Sequence, residues 1–208
     1  MGKLLLELAT LIGVPIIIGS AGLLIMILSE LALCNYARSA DFVFEPGHYN
    51  YLRALRPHIL HGSDRGREVA ITYSLGDYWS AGQNRGISSV TYALPPHPKL
   101  HIKVTAARPW GEKGTRSGDP RFDRWVRVTG GPKAFVQALL ADASVRSRLK
   151  DTVSPTFTFT STLTLTPAGL LTLRHKSAIL TRGRILSDIE LLGDIAEMIA
   201  KHFPEDAE

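Results

Sequence analysis

Two aspartates in a turn-forming segment are the best candidates for a reactive pair. Asp119 lies between Gly118 and Pro120, and Asp123 follows four residues later. Two neighbouring carboxylates can act as general acid and base, or can share a magnesium ion. The same residues are also typical of a structural turn, in which Asp accepts hydrogen bonds from nearby backbone amides. The sequence favours the structural interpretation, with a hydrolase that uses Asp119 or Asp123 as the alternative.

The remaining chemical motifs are incomplete. Histidines recur along the chain, namely His48, His58, His61, His97 and His101. A zinc site needs three or four converging ligands, and the single cysteine, Cys34, cannot complete one. The sequence contains no P-loop, no dinucleotide fingerprint and no Gly-x-Ser-x-Gly motif. We therefore predict no catalytic residue, no metal ligand and no cofactor.

Arginine is the most prominent residue with a potential binding role. The chain has 24 Lys and Arg against 19 Asp and Glu. The planar guanidinium of Arg suits forked contacts with carboxylate or phosphate. We predict that eight arginines, in two clusters, contact an anion or a protein partner. The first cluster is Arg53, Arg56, Arg65 and Arg67. The second is Arg108, Arg116, Arg121 and Arg124, with Trp110 and Trp125 nearby. No nucleic-acid recognition module is recognisable, so nucleic acid is not an expected partner.

An uncharged apolar stretch precedes these clusters. It runs from Leu8 to Ser29, which at about 1.5 Å per helical residue is long enough to cross a bilayer core of about 30 Å. Its length favours an uncleaved anchor over a signal peptide. The stretch predicts a single-pass protein of the cell (inner) membrane, with undecided orientation. Four small residues form candidate helix-packing sites on it, namely Ala9, Gly13, Gly19 and Gly22.

The remainder of the chain has the patterns of an α+β domain. Val69, Ile71 and Tyr73 alternate with polar residues, as in a half-buried strand, and short connections favour antiparallel neighbours. The predicted fold class is α+β, with one N-terminal transmembrane helix followed by a single domain of antiparallel strands, a helical pair and a C-terminal amphipathic helix. The predicted division is a membrane anchor at 1–34 (transmembrane helix at about 8–29), a juxtamembrane linker at 35–47 and a soluble domain at 48–208.

Several element bounds follow from local patterns. Residues 49–61 are predicted to be loop with some helix, and Phe122 to Thr129 a strand. Thr156 to Thr166 is predicted to be a strand with its threonines on the solvated face. Ser187 and Glu190 form a capping box that predicts the start of the final helix.

Short motifs in the domain resemble a family of uncharacterised bacterial membrane-anchored proteins. The resemblance rests on Gly62-Ser63-Asp64-Arg65-Gly66-Arg67 before a strand and on Gly118-Asp119-Pro120-x-Phe122-Asp123. Val128-x-Gly130 and a helix ending near Val145-Arg146 follow. The resemblance implies an architecture, in which these segments and an amphipathic helix lie behind membrane helices, and implies no reaction.

The sequence therefore predicts a single-pass membrane-anchored protein-interaction domain, an accessory or scaffold subunit of a bacterial membrane assembly. Its predicted partners are membrane lipids, through the anchor, and another membrane protein or subunit. One alternative is a peripheral domain that binds anionic lipid through its Arg-rich loops. A second alternative is an unrecognised hydrolase, although the sequence leans towards a noncatalytic role.

Overall fold

The computed structural model describes residues 24, 27–28, 30–50, 53–74, 87–107, 114–153, 160–176 and 181–204, with only the backbone at 49–50, 53–56 and 160. These residues form five helices and ten strands. The helices are α1 (30–40), α2 (Pro120–Asp123), α3 (Lys133–Ala141), α4 (Ala143–Val153) and α5 (Arg182–His202). The strands are β1 (Val43–Glu45), β2 (His48–Asn50), β3 (Arg53–Arg56), β4 (His58–Asp64), β5 (Arg67–Ser74), β6 (Ile87–Ala93), β7 (Ile102–Ala106), β8 (Val126–Gly130), β9 (Thr160–Leu165) and β10 (Leu170–Lys176).

Eight of the strands form one antiparallel sheet in the order β1-β4-β5-β6-β10-β9-β7-β8, and β2 and β3 pair separately. The turn between β4 and β5 shows how the local sequence sets this pairing. Its two central residues, Arg65 and Gly66, have φ values of 51° and 74°. Two consecutive residues with positive φ are typical of the tight hairpin turns whose twist matches that of the strands. The turn joins Asp64 to Arg67, which pair across the hairpin.

One face of the sheet is covered by helices and forms the core. Val69, Ile71 and Tyr73 are fully buried on this face, as the alternation in β5 predicts. Helix α5 supplies a matching apolar stripe that includes Ile185 and Leu192, both fully buried. Alternate residues such as Thr162 and Thr164 lie on the other face and are half-exposed. We call the first of these the helix-covered face.

Several local predictions differ from the structure. Residues 53–56 and 58–64 are strands rather than loop and helix. Helix α5 begins at Arg182, because Thr181 is its N-cap and accepts a hydrogen bond from the Arg184 N–H at 3.3 Å. The predicted capping residue, Ser187, therefore lies inside the helix. Tertiary packing decides here, since the additional first turn buries Ile185.

The predicted fold class is wrong in its membrane part. None of the helices among the described residues is both long and apolar enough to cross a membrane, and most of the stretch 8–29 lies outside these residues. The structure instead shows five helices with an eight-stranded antiparallel sheet. Helix α1 packs on this domain through Leu33, Tyr36 and Ala37, each at most 5% exposed. The apolar pattern at the beginning of the chain therefore continues into residues that belong to the core of the domain.

Candidate functional site

Two carboxylates hold the loop and short helix that carry three of the predicted arginines. Asp119 is the N-cap of α2, and its Oδ1 accepts hydrogen bonds from the backbone N–H of Arg121 at 2.8 Å and of Phe122 at 3.4 Å. Asp123 Oδ1 accepts from the backbone N–H and from the hydroxyl of Ser117, both at 2.9 Å. The bond from the Arg121 N–H contributes most to lowering the pKa of Asp119. Both aspartates thus shape the loop, as the turn-forming sequence favours.

The loop and α2 present what we call the basic surface, which consists of Arg116, Arg121, Arg124 and Trp125. The three arginines are exposed, and none forms an ion pair within the described part of the chain. The guanidinium carbon of Arg124 lies 5.2 Å from the centroid of the Trp125 ring, and Trp125 is 38% exposed. Arg and Trp are enriched at protein interfaces, where they dominate binding energy. The basic surface is therefore the best candidate site for a protein partner.

Arg65, from the other predicted cluster, is committed to the fold. Its Nη1 donates to Asp194 at 3.0 Å and to Glu197 at 2.8 Å, and its Nε lies 3.7 Å from Asp64. Asp194 also pairs with Arg148 at 2.8 Å. The hydrogen bond to Asp194 is the largest cause of the raised pKa of Arg65. Because these contacts connect the β4–β5 turn to α5, Arg65 stabilises the domain and is not available to a partner.

Arg67 lines an open cleft at the same end of the sheet. The cleft has a volume of about 1060 Å³ and lies between the β4–β5 turn, the residues after β6 and the last turns of α5. Leu94 and Ile199, at 9% and 7% exposure, form part of its apolar floor. His97 and Phe203 lie side by side on its wall, with ring centroids 4.6 Å apart. Arg65 lines this cleft too, but its guanidinium is paired with carboxylates, whereas no described residue pairs with Arg67.

The opposite end of the helix-covered face contains a row of buried polar side chains. Register places one such residue on each of five neighbouring strands, namely His58, Tyr73, Ser88, His175 and Ser161. All five are at most 5% exposed. We call them the buried polar row. They are the most conspicuous group that the sequence analysis missed.

Hydrogen bonds connect Ser161 and His175 of this row to Asp188 of α5. The Ser161 hydroxyl lies 2.7 Å from His175 Nδ1, and His175 Nε2 lies 2.8 Å from Asp188 Oδ2. The tautomer that satisfies both contacts has a proton on Nε2 and an acceptor at Nδ1. Serine hydrolases use the same connectivity, in which His takes the serine proton. Here the Arg184 guanidinium also donates to Nδ1, at 2.9 Å, and the group is buried, so it is suited to joining β9 and β10 to α5.

The sequence does carry a signal for this network. Ser161 interrupts the apolar alternation of β9, where Leu163 and Leu165 occupy the equivalent positions. His175 likewise follows Leu171 and Leu173 at an inward-facing position of β10. A polar residue at a core position requires a buried hydrogen-bond partner. The partner, Asp188, lies on another element and cannot be identified by spacing.

Other predicted site residues are not placed by the structure. Arg108 and the four helix-packing residues, Ala9, Gly13, Gly19 and Gly22, lie outside the described residues. The side chains of Arg53 and Arg56 also lie outside them, although both residues belong to β3. Cys34 is half-buried in α1, and burial is the main cause that raises the pKa of its thiol. A protonated thiol is a weak nucleophile.

Comparisons with known proteins identify no family. No protein-family model matches the chain, and no curated protein matches its sequence, so the resemblance to membrane-anchored proteins stays a prediction. Among solved structures, the chain is similar to the mycobacterial trehalose monomycolate transport factor A, TtfA. The TM-score is 0.48 and the identity is 12%, over 79% of this chain and 90% of that one. A similarity of this size is compatible with many functions.

Proposed function

We propose that this chain is a membrane-associated accessory protein whose domain binds an acidic protein partner through the basic surface. The observation that carries the proposal is a set of three exposed arginines, paired with no described carboxylate, beside an exposed tryptophan. Charged groups that the domain itself does not neutralise are available to carboxylates of a partner. Trp125 adds the large apolar area that a binding hot spot needs.

Contrast with Arg65 supports this assignment. Arg65 contacts three carboxylates of its own chain, and its removal would disturb the fold. Arg116, Arg121 and Arg124 contact none among the described residues, so the folded state gains little from their charges. Asp119 and Asp123 fix the backbone of the loop and helix that carry these arginines. The entropic cost of binding a partner is therefore confined to ordering the arginine side chains.

Association with a membrane rests on a separate surface. Leu24, Ile27, Leu28 and Leu31 are helical and follow the spacing i, i+3, i+4 and i+7, which places them on one side of a helix. Each is 43–56% exposed. An exposed apolar stripe of this kind favours contact with lipid or with an apolar partner. We infer that this stripe brings the domain to the membrane surface.

Cross-linking of the full chain in native membranes tests the protein partner. A photo-reactive amino acid at Trp125 should give cross-links to one recurrent, acidic protein, identified by mass spectrometry. Arg116→Glu, Arg121→Glu and Arg124→Glu together should abolish binding to that protein. The matched control is Lys103→Glu, Arg174→Glu and Lys176→Glu, which makes the same charge change at exposed residues elsewhere. Equal loss of binding in both variants, or self-contacts alone, would overturn the proposal.

Liposome flotation of the full chain tests the apolar stripe. We expect Leu24→Lys with Leu28→Lys to reduce the bound fraction at least tenfold. The matched control is Leu170→Lys with Leu186→Lys, two other exposed leucines, which should leave binding unchanged. Unchanged binding of the first variant would contradict the role of the stripe. Salt-sensitive loss of binding in the triple Arg→Glu variant would instead favour anionic lipid as the ligand of the basic surface.

A further inference from the structure

The cleft at the end of α5 contains Arg67, a cation that no described residue pairs with. Arg67 stands on the same side of β5 as Val69, Ile71 and Tyr73, which are all fully buried, and is itself half-buried. Among the described residues no carboxylate or carbonyl contacts its guanidinium, although Arg65 two residues earlier has three carboxylate neighbours. A partly desolvated guanidinium gains most from a bidentate oxyanion. The described part of the chain therefore supplies no anion to Arg67.

The histidine of the same cleft is also incompletely satisfied. His97 Nδ1 is buried, and no described atom forms a hydrogen bond with it. Buried polar atoms in folded proteins nearly always have a partner, so an exception needs an explanation. Here the unsatisfied ring lies in the wall of the cleft, 4.6 Å from the ring of Phe203. Arg67 and His97, two polar groups that lack partners among the described residues, thus line the same cleft.

The other walls of the cleft specify an apolar part of the ligand. Leu94, Ala196 and Ile199 are at most 9% exposed and form the floor, while Phe203 forms a wall. The volume of about 1060 Å³ is at the upper end of the range of about 300–1,000 Å³ that small ligands occupy. A ligand with an apolar group next to its anion would remove these side chains from water.

Charge at the rim selects the kind of anion. Glu68 is exposed at the edge of the cleft, and α5 ends there with the negative pole of its dipole. Both features disfavour the double charge of a phosphate group. Arg65 also lines the cleft, but three carboxylates of the domain neutralise it. We propose that the cleft binds a molecule with a single carboxylate next to an apolar group, and that Arg67 pairs with this carboxylate. The carboxyl terminus of a polypeptide with apolar last residues, or a medium-chain fatty acid, has this chemistry.

Fluorescence anisotropy with the full chain tests the proposal. The probes are a labelled peptide that ends in Pro-Leu-Phe with a free carboxylate, and the same peptide with an amidated end. We expect the carboxylate form to bind at least tenfold more tightly, as for a charge-assisted hydrogen bond. Arg67→Gln should reduce its affinity to that of the amide, and Arg67→Lys should lose part of it. Arg174→Gln, at an exposed position elsewhere, is the matched control and should not change binding.

The outcomes are distinguishable. Equal affinity for the two peptides and no displacement of probe by octanoate, or unchanged binding in Arg67→Gln, would overturn the proposal. Displacement by octanoate but not by octanamide would support it with a fatty acid as the source of the carboxylate. Failure of octanoate to displace a tightly bound peptide would support it with a polypeptide terminus. Unfolding midpoints of the variants show that a loss of binding is not a loss of fold.

Discussion

Polar side chains lie at both ends of the helix-covered face, but the two ends differ in the partners that these side chains have. At one end Ser161, His175 and Asp188 satisfy one another at 2.7–2.8 Å. At the other end Arg67 has no partner among the described residues, and His97 Nδ1 is buried without one. The difference teaches that a polar group at a core position is not itself a sign of function. The informative feature is a half-buried cation, Arg67, that no described residue pairs with.

The same contrast appears in the arginines. Arg65 and Arg67 belong to a single sequence cluster, yet Arg65 joins the β4–β5 turn to α5 through Asp194 and Glu197. Arg65 lies in the turn, with a positive φ, and Arg67 is the first residue of β5, so the two side chains meet different neighbours. Variants of Asp188, Arg65 and Arg67 test which of these polar groups the fold needs.

The largest effect is expected at the satisfied end. Asp188→Ala leaves the His175 Nε2–H without its acceptor in a buried site. A buried donor that loses its acceptor costs about 1–3 kcal/mol, at the upper end when the lost hydrogen bond was to a charged group. Urea unfolding of the full chain should show a lower free energy of unfolding by about 3 kcal/mol. Asp151→Ala, at an exposed position of α4, is the control and should change it by less than about 0.5 kcal/mol. A loss below about 1 kcal/mol for Asp188→Ala would break the comparison, because the buried network would then not be structural.

How much of this could be predicted from sequence depends on the range of the contacts. The strand at Arg67–Ser74, the helix after Pro132 and the cap of α4 at Asp142 follow from local patterns, and Asp142 Oδ1 does accept from the Ser144 and Val145 N–H groups. The start of α5 could not be found in this way, because two caps compete and packing of Ile185 selects Thr181.

For the candidate sites, too, the features that could be predicted are those that depend on local sequence. The exposed arginines of the basic surface could be proposed from composition and turn residues alone. The division between Arg65 and Arg67 could not, because it depends on where Asp194 and Glu197 of α5 lie, about 130 residues later. Asp188 is recognisable as the partner of His175 only once β10 and α5 are packed together.

A smaller effect is expected for Arg65. Arg65→Ala removes the contacts to Asp194 and Glu197, but the side chain is 35% exposed and solvent screens its charge. We expect the free energy of unfolding to fall by about 1 kcal/mol in a urea titration. Arg65→Lys keeps the positive charge but loses the forked geometry of the guanidinium. Its free energy of unfolding should therefore lie between those of the native chain and of Arg65→Ala. An effect as small as that of an exposed arginine, such as Arg174→Ala, would show that Arg65 is not committed to the fold.

The pH dependence of stability tests the buried polar row in another way. His58 is buried, its Nδ1 accepts from the Gly47 N–H at 2.9 Å, and burial is the main cause that lowers its pKa below 6.5. In the window between the lowered folded pKa and 6.5, the unfolded chain binds a proton that the folded chain does not. The contribution of His58 is therefore fully present above about pH 6.5 and is lost as the pH falls below it.

Urea unfolding of the native chain and of His58→Asn, from about pH 7 to about pH 5, measures this contribution. Asn retains an acceptor but does not titrate, so the free energy of unfolding should fall less with decreasing pH in the variant. His101→Asn, at an exposed histidine, is the control and should keep the native slope. Identical slopes for all three chains would show that burial of the row does not exclude the charged imidazole.

The smallest effect on stability is expected where the largest effect on binding is proposed. Arg67→Gln removes a charge that no described residue neutralises, so the free energy of unfolding should change by less than about 0.5 kcal/mol, or should rise. A urea titration beside Arg65→Ala separates the two arginines directly. A loss of about 1 kcal/mol or more in Arg67→Gln would mean that the domain does use this charge. The two ends of the helix-covered face would then differ only in degree. A neutral or stabilising substitution means that the fold gains nothing from an arginine on its core-facing side, which is the expected behaviour of a residue that serves a ligand at the expense of stability.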